Sequence, residues 1–418
     1  MSSKKFALAW SIALASFLMT LVLVSAASAA TEKVLYSLGN GLDAAYPFDT
    51  PVFDAAGNLY GTTWEGGPSN HGTVFELSPV TGGGWTETVL YSFAGSPTDG
   101  GKPSGSLIFD KAGNIYGTTR TGGSPNCKNA PCGTVFELIP GSNGTWTESL
   151  IYVFANLKDG AYPYAGVIMD GAGNLYGMTH EGGAHDLGTV FELSPSNGGW
   201  TKRTLHSFSG TDGKFPVSGL VMDTAGNLYG TTEKGGTANL GVAFELSPSG
   251  KGWKETVLYS FAGGTDGSGP HVGLILDTLG NLYGTTASGG SGGCQNGCGT
   301  VFELSPSGGG WTETIIQTLT LANGSVPNDI VFDSVGNIYG TTRRGGSGKK
   351  CNGGGCGTVF KLTPSNGTWT ETVLYSFRGI PDGAVPFSGP IVDANGNVFG
   401  TTVFGGKYHP GVVFEIQP

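Results

Sequence analysis

The chain has 418 residues, of which 76 are glycine and only 12% are charged, and its formal net charge is −10. Helices tolerate so much glycine poorly, and the regular return of aromatic and β-branched residues separates the chain from disordered low-complexity sequence, so many short strands joined by tight turns are expected. The acidic balance argues against nucleic acid as a partner.

At the N-terminus, Lys4 and Lys5 precede an apolar run from Phe6 to Val24 and the small-residue site Ala27-Ser28-Ala29. This succession reads as a secretory signal peptide over residues 1–30, cleaved after Ala29 or Ala30. The competing reading is an uncleaved anchor, because the run approaches the ~20 residues that span a bilayer. Cleavage removes two lysines and no acidic residue, which leaves −12. The expected location is secreted or cell envelope, with no membrane contact once the signal is gone.

Residues 31–418 contain seven copies of one segment, each carrying Asp-x-x-Gly-Asn, an apolar residue, an aromatic and Gly. The anchors are Asp54, Asp110, Asp170, Asp223, Asp277, Asp333 and Asp393, spaced 53 to 60 residues apart. Such a period marks a repeat array. The fifth copy shows the unit: Gly273 to Asp277, a turn, Asn281 to Thr286, a loop, Gly299 to Pro306, a Gly-rich turn, then Trp311 to Ile316. Four short strands separated by turn signals, here called a, b, c and d, read as an antiparallel meander. Seven such meanders predict an all-β fold, a seven-bladed β-propeller of four-stranded blades forming one domain over residues 31–418. The chain ends after the c strand of copy seven, Gly411 to Pro418, whereas Thr31 to Leu38 matches the d strands beginning at Thr86 and Thr370. The N-terminal strand is therefore expected to complete the last blade and close the ring, which removes the open edges.

On the recurring Gly-Asn-Leu-Tyr-Gly-Thr-Thr, the Gly-Gly that follows and Gly-Thr-Val-Phe-Glu-Leu, the chain resembles secreted bacterial choice-of-anchor tandem repeat proteins, also called GloVer-repeat proteins, over essentially all of residues 31–418. The resemblance implies export and a repeat domain attached to a surface-sorting signal, and it implies no activity. This chain departs by ending inside its last repeat.

A residue present in every blade serves a site that occurs seven times, so most motif residues read as scaffold. Gly57-Asn58 and their counterparts suit positive-φ turn positions, with Asp54 accepting backbone hydrogen bonds. A calcium reading is weaker because that ion takes six or more oxygen ligands. Trp85, Trp146, Trp200, Trp253, Trp311 and Trp369 open six d strands and are expected to pack between blades, with glycan stacking as the sharper alternative. The strand-c Glu, such as Glu76 or Glu303, is replaced by Lys361 in copy six and is read as a hydrogen bond or ion pair between blades.

Six cysteines form three close pairs, Cys127 with Cys132, Cys294 with Cys298 and Cys351 with Cys356, each in the same loop of a different copy. An exported chain makes these disulfides, while a metal reading lacks nearby ligands. The d–a and b–c loops fall on one face of the ring. That rim carries the length variation and the cysteine straps, so it is the candidate functional face. Its least repetitive residues precede each Gly-Gly, and the candidates among them are Trp64, Glu65, Arg120, His180, Glu181, Glu233, Lys234, Arg343, Arg344 and Phe404. Arg343 and Arg344, with Lys349 and Lys350, would receive an acidic sugar or carboxylate, against the plainer reading of a solvated charged loop. Glu181 with Glu233 could form a glycosidase pair, with His180 and Asp186 nearby.

No metal or nucleophile motif is evident in the sequence, and no cofactor is expected. The leading expectation is a noncatalytic, monomeric scaffold that binds an extracellular polysaccharide or a cell-surface protein. The alternative is a propeller-type polysaccharide hydrolase or lyase.

Overall fold

A computed structural model of the protein describes residues 30–39, 44–123, 131–155, 158–351 and 354–418. These form seven antiparallel sheets arranged as the blades of a propeller, and two two-stranded ribbons, Ala44–Ala45 with Glu65–Gly66 and Gly383–Ala384 with Phe404–Gly405. In blade 1 the strands are a (Val52–Phe53), b (Leu59–Thr63), c (Thr73–Pro79) and d (Trp85–Ser92). Blade 7 pairs Ile391–Val392, Val398–Thr402 and Val412–Gln417 with Thr31–Ser37, so the N-terminal strand closes the ring beside the C-terminal one. The expected signal peptide lies outside the described residues, and among these no helix is long and apolar enough to cross a membrane.

Each motif residue has a local cause. Asp54 Oδ1 accepts the N–H groups of Ala56 and Asn58, and Asp54 Oδ2 accepts Asn58 Nδ2 at 2.8 Å. Gly57, at φ +87°, is the turn residue that needs the left-handed region. Asn58 does not have the expected positive φ and instead ties its side chain back to Asp54. The Gly of Gly-Thr-Thr is required by packing: a methyl on Gly61 would come within 2.7 Å of the Phe75 ring that lies across it from strand c.

The two threonines have different tasks. The first reaches the next blade, as Thr118 Oγ1 donates to Ala165 O at 2.9 Å and Thr231 Oγ1 to Val272 O at 3.0 Å. The second, Thr63, shares a hydrogen bond with Thr73 and also donates to Glu65 O at 2.7 Å, which fixes where strand b ends.

The core is the set of spaces between blades. The fully buried Phe75, Phe136, Phe191, Phe244, Phe302, Phe360 and Phe414 occupy equivalent strand-c positions. The d-strand tryptophans pack across seams as expected, with Trp200 6.3 Å from Tyr116 and Trp253 6.2 Å from Tyr176. The strand-c Glu corrects its expectation, because its partners lie within its own blade. Tyr116 Oη donates to Glu137 at 2.8 Å, and Ser78 Oγ to Glu76 at 2.9 Å. In blade 6 Lys361 instead lies over the Tyr339 ring, 5.2 Å from its centroid.

Candidate functional site

The d–a loops meet the b–c loops on one face, and each meeting is fastened through a residue in an uncommon conformation. Tyr46, Lys102, Tyr162, Phe215, Val326 and Val385 have φ between 54° and 59°, and Gly269 fills the seventh place. Each is followed by proline. Left-handed backbone in bulky or β-branched residues persists only where surrounding contacts over-determine it. Here both polar groups are held: Tyr46 N–H donates to Pro410 O of the preceding blade at 2.8 Å, and Tyr46 O accepts Trp64 N–H at 2.9 Å. Tyr162 and Phe215 repeat the pattern with His180 and Glu233. The proline then lodges over the Gly that opens strand c of the preceding blade. A methyl on Gly72 would stand 2.6 Å from Pro103 Cδ, and one on Gly188 2.5 Å from Pro216 Cδ.

After this fastening, Phe48, Ser104, Tyr164, Val217, His271 and Phe387, each following a proline, and Trp64, Arg120, Glu233 and Arg343, each the first of a variable pair, line a cavity of about 770 Å³. Arg120 Cζ lies 5.3 Å from the centroid of Trp64 and 4.4 Å from that of Tyr164. Arg343 Cζ lies 3.6 Å over Phe387, and Phe48 bridges the two groups at 5.4 Å from Trp64 and 4.8 Å from Phe387. Guanidinium groups stacked on ring faces keep their edge N–H groups available for a planar anion.

Charges deeper in the cavity are unequal. Asp49 Oδ1 accepts Gly105 N–H and its Oδ2 accepts Thr62 Oγ1. Burial pushes its carboxyl up to about 7 against the help of Gly105, and Asp329 adds to the rise. Asp329 is also raised by burial, although Gly273 N–H and Arg343 oppose it. Arg343 is lowered to about 10 by burial, with Asp329 resisting. Buried Asn328 orients this arginine: its Oδ1 accepts Arg343 Nε at 2.8 Å, while its Nδ2 donates to Thr341 Oγ1 and Pro386 O, each at 2.9 Å. Both ring nitrogens of His271 are shielded from solvent, and burial followed by Arg343 drives its pKa down to about 3 against a backbone hydrogen bond with Gly269.

The variable pairs are divided by strand alternation. Trp64, Arg120, Glu233 and Arg343 line the cavity. His180 packs between Tyr164 at 4.8 Å and Phe215 at 5.1 Å, and burial lowers its pKa. The second residues turn elsewhere. Glu65 accepts Lys102 Nζ at 3.2 Å, Glu181 pairs with Ala161 in a bridge, and Lys234 pairs likewise with Lys214. Glu181 is not in the cavity wall that holds Glu233. Arg344, Lys350 and Phe404 line a second cavity of about 850 Å³ between blades 6 and 7, so the basic cluster around Arg343 is split between two sites.

Sequence reading missed Phe48, Asp49, Tyr164, His271, Asp329 and Phe387. Their signal is present in retrospect: a proline recurs before every strand a, and the next residue varies as Phe48, Ser104, Tyr164, Val217, His271, Asn328 and Phe387.

Cys294 with Cys298 and Cys351 with Cys356 are bonded, with Cα atoms 5.2 and 5.3 Å apart, in the b–c loops of blades 5 and 6. Cys127 lies outside the described residues.

The family model described as Gloeobacter/Verrucomicrobia repeat matches residues 20–225 and 203–414. Nothing among curated proteins matches. Among solved structures, an ulvan lyase, from a new polysaccharide lyase family and bound to a saccharide, shares 13% identity and a TM-score of 0.53 over 91% of this chain and 94% of that one. A candidate 6-phosphogluconolactonase of Bacteroides uniformis shares 18% identity and a TM-score of 0.51 over 82% and 88%. The extracellular domain of a candidate one-component system from B. thetaiotaomicron shares 9% identity and a TM-score of 0.51, and this chain covers 91% of its own length against 39% of that chain. At these identities the likeness is one of fold.

Proposed function

We propose that this chain, which belongs to the Gloeobacter/Verrucomicrobia repeat family, is an exported binding propeller whose ligand is an acidic polysaccharide held in the axial cavity. The observation that carries this reading is the pair of ring-stacked arginines, Arg120 and Arg343, in a wall that also presents the aromatic rings of Phe48, Trp64, Tyr164 and Phe387. Aromatic faces suit the C–H faces of sugar rings, and the guanidinium fork suits a carboxylate. Arg120 and Arg343 share this cavity with Asp49, Glu233 and Asp329, and burial raises both aspartates, which lessens the negative charge set against an anionic ligand there. Export is supported by the two short disulfides and the N-terminal segment. Binding of the purified protein to an array of neutral and acidic glycans tests the reading. Saturable, salt-sensitive binding of uronate-bearing glycans that is lost in Trp64→Ala and Arg120→Ala is expected. A blank array, or hits on neutral glycans alone, sinks it.

A catalytic reading rests on Tyr164, His180 and Arg120, which stand together and could serve an elimination on a uronate. Against it, burial raises the Tyr164 phenol, which makes that group a poorer base. Incubation with the bound glycan decides: appearance of unsaturated ends that depends on Tyr164 would replace the binding reading with a lyase.

A further inference from the structure

The seams between blades repeat a second constellation whose members vary from seam to seam. At the end of the d strand in blades 1, 2, 3, 4 and 6 a polar residue faces an acid from the following loop and a residue from the next blade's d strand, while Gln317, Asn323 and Glu371 take these places between blades 5 and 6. In the seam between blades 1 and 2 these are Tyr91, Asp99 and Glu148, with Tyr91 Oη donating to Asp99 at 3.1 Å. Tyr259, Asp266 and Glu313 form the seam between blades 4 and 5, at 2.6 Å for the same bond. Between blades 2 and 3 the Glu is replaced by Lys202, whose ammonium lies 2.9 Å from Asp159 Oδ1. That seam seats a cation supplied by the chain itself.

In the seam between blades 3 and 4 the tyrosine is replaced by His206, while both acids, Asp212 and Glu255, are kept. One ligand atom from each of the three lies within 4.8 Å of the others, and His206 Nε2 is 3.0 Å from Asp212 Oδ2. Asp212 Oδ1 accepts Ser209 N–H at 2.8 Å and Ser209 Oγ at 3.0 Å, which leaves Oδ2 presented to the cluster. Glu255 Oε1 is shut off from solvent and has no hydrogen-bond partner. An imidazole with two carboxylates, one already oriented by its neighbours, suits a first-row divalent ion such as Zn²⁺. Calcium and magnesium favour all-oxygen sets, and a thiolate-seeking ion has nothing here to bind.

We infer that His206, Asp212 and Glu255 form a divalent metal site that stitches blade 3 to blade 4, with water completing the coordination. The ion takes the place that the Lys202 ammonium holds one seam earlier.

The test is calorimetric titration of the metal-stripped protein with ZnCl₂, followed by thermal melting with and without one equivalent. His206→Tyr is the decisive variant, because tyrosine already occupies this place in the seams of Tyr91, Tyr152, Tyr259 and Tyr375. Glu255→Gln is the second. One saturable site per chain, a melting temperature raised by Zn²⁺, and at least a tenfold loss of affinity in each variant are expected. Absence of stoichiometric binding, or binding undiminished in both variants, overturns the inference and leaves a proton shared between Asp212 and Glu255.

Discussion

The guanidinium of Arg343 lies 3.6 Å from the centroid of the Phe387 ring, with its Nε held by Asn328 on the opposite strand. The cation is therefore fixed before any ligand arrives. Replacing Arg343 with Ala should weaken binding of an acidic glycan by about tenfold or more, as expected for a buried arginine anchor. Lysine should not restore it, because an ammonium can neither stack as a plane nor fork to a carboxylate. Affinities of the two variants at low and moderate salt check this, and full affinity in Arg343→Lys would contradict it.

Gly72 and Gly57 both have positive φ, at 95° and 87°, yet their surroundings differ. A methyl on Gly57 meets nothing within 4 Å, whereas one on Gly72 meets Thr63 O and Pro103 of the next blade. Gly57→Ala should cost about 1 kcal/mol from backbone strain, and Gly72→Ala clearly more, about 3 kcal/mol, from strain and overpacking together. Urea midpoints of the two variants measure the difference, which should vanish if the contacts with Thr63 O and Pro103 carry no weight.

The seam acids predict a dependence on pH. Burial, followed by the facing Asp, raises Glu148 and Glu313 from 4.5 to about 7. An acid raised in the folded state binds its proton more tightly there than when unfolded, so stability is highest below the unfolded value and falls as pH rises toward 7. The turn acids Asp54, Asp110 and Asp170 act in the opposite sense. Burial alone would raise them, but hydrogen bonds from the turn outweigh it, and their contribution is lost as pH falls through the lowered value. The lowered histidines His271, His180 and His206 oppose the seam acids as pH falls below the ordinary histidine value, and Glu148→Gln should flatten the decline that the seam acids produce up to about pH 7. Denaturation at pH 5, 6.5 and 8 tests the sign, and stability that increases over this range would refute it.

Thr31–Ser37 covers the edge of Val412–Gln417. Deleting residues 31–38 should leave that strand unpaired and the protein prone to association, because an exposed, apolar edge is a template for another chain. Light scattering of the truncated and intact proteins is the measurement, and a monodisperse monomer after deletion would show that closure is dispensable.

Cys294 and Cys298 close a very short loop. In the chain-entropy account, Cys294→Ser with Cys298→Ser should cost about 2 kcal/mol and leave the far-UV spectrum intact. A loss of cooperative unfolding would instead make the strap part of the fold's foundation.

The repeat, the blade count, the four-strand meander and the closure of the ring follow from periodic residues alone. Periodicity reports contacts that recur, and a closed ring of blades is built from recurring contacts: Phe75 over Gly61, Trp200 against Tyr116, Asp54 within its own turn. The variable pairs before each Gly-Gly were visible for the converse reason, since they break the repeat. What the sequence did not disclose is which member of each pair faces the axis. Strand alternation sends Arg343 inward and Arg344 away, and the direction depends on the left-handed residue before each proline, whose carbonyl anchors the pair from another part of the chain. The axial cavity joins Phe48, Arg120, His271 and Arg343 from four blades, and the seam joins His206 to Glu255 from two. Such groupings arise only when the ring closes, because no spacing along one chain records which blades stand next to each other around an axis.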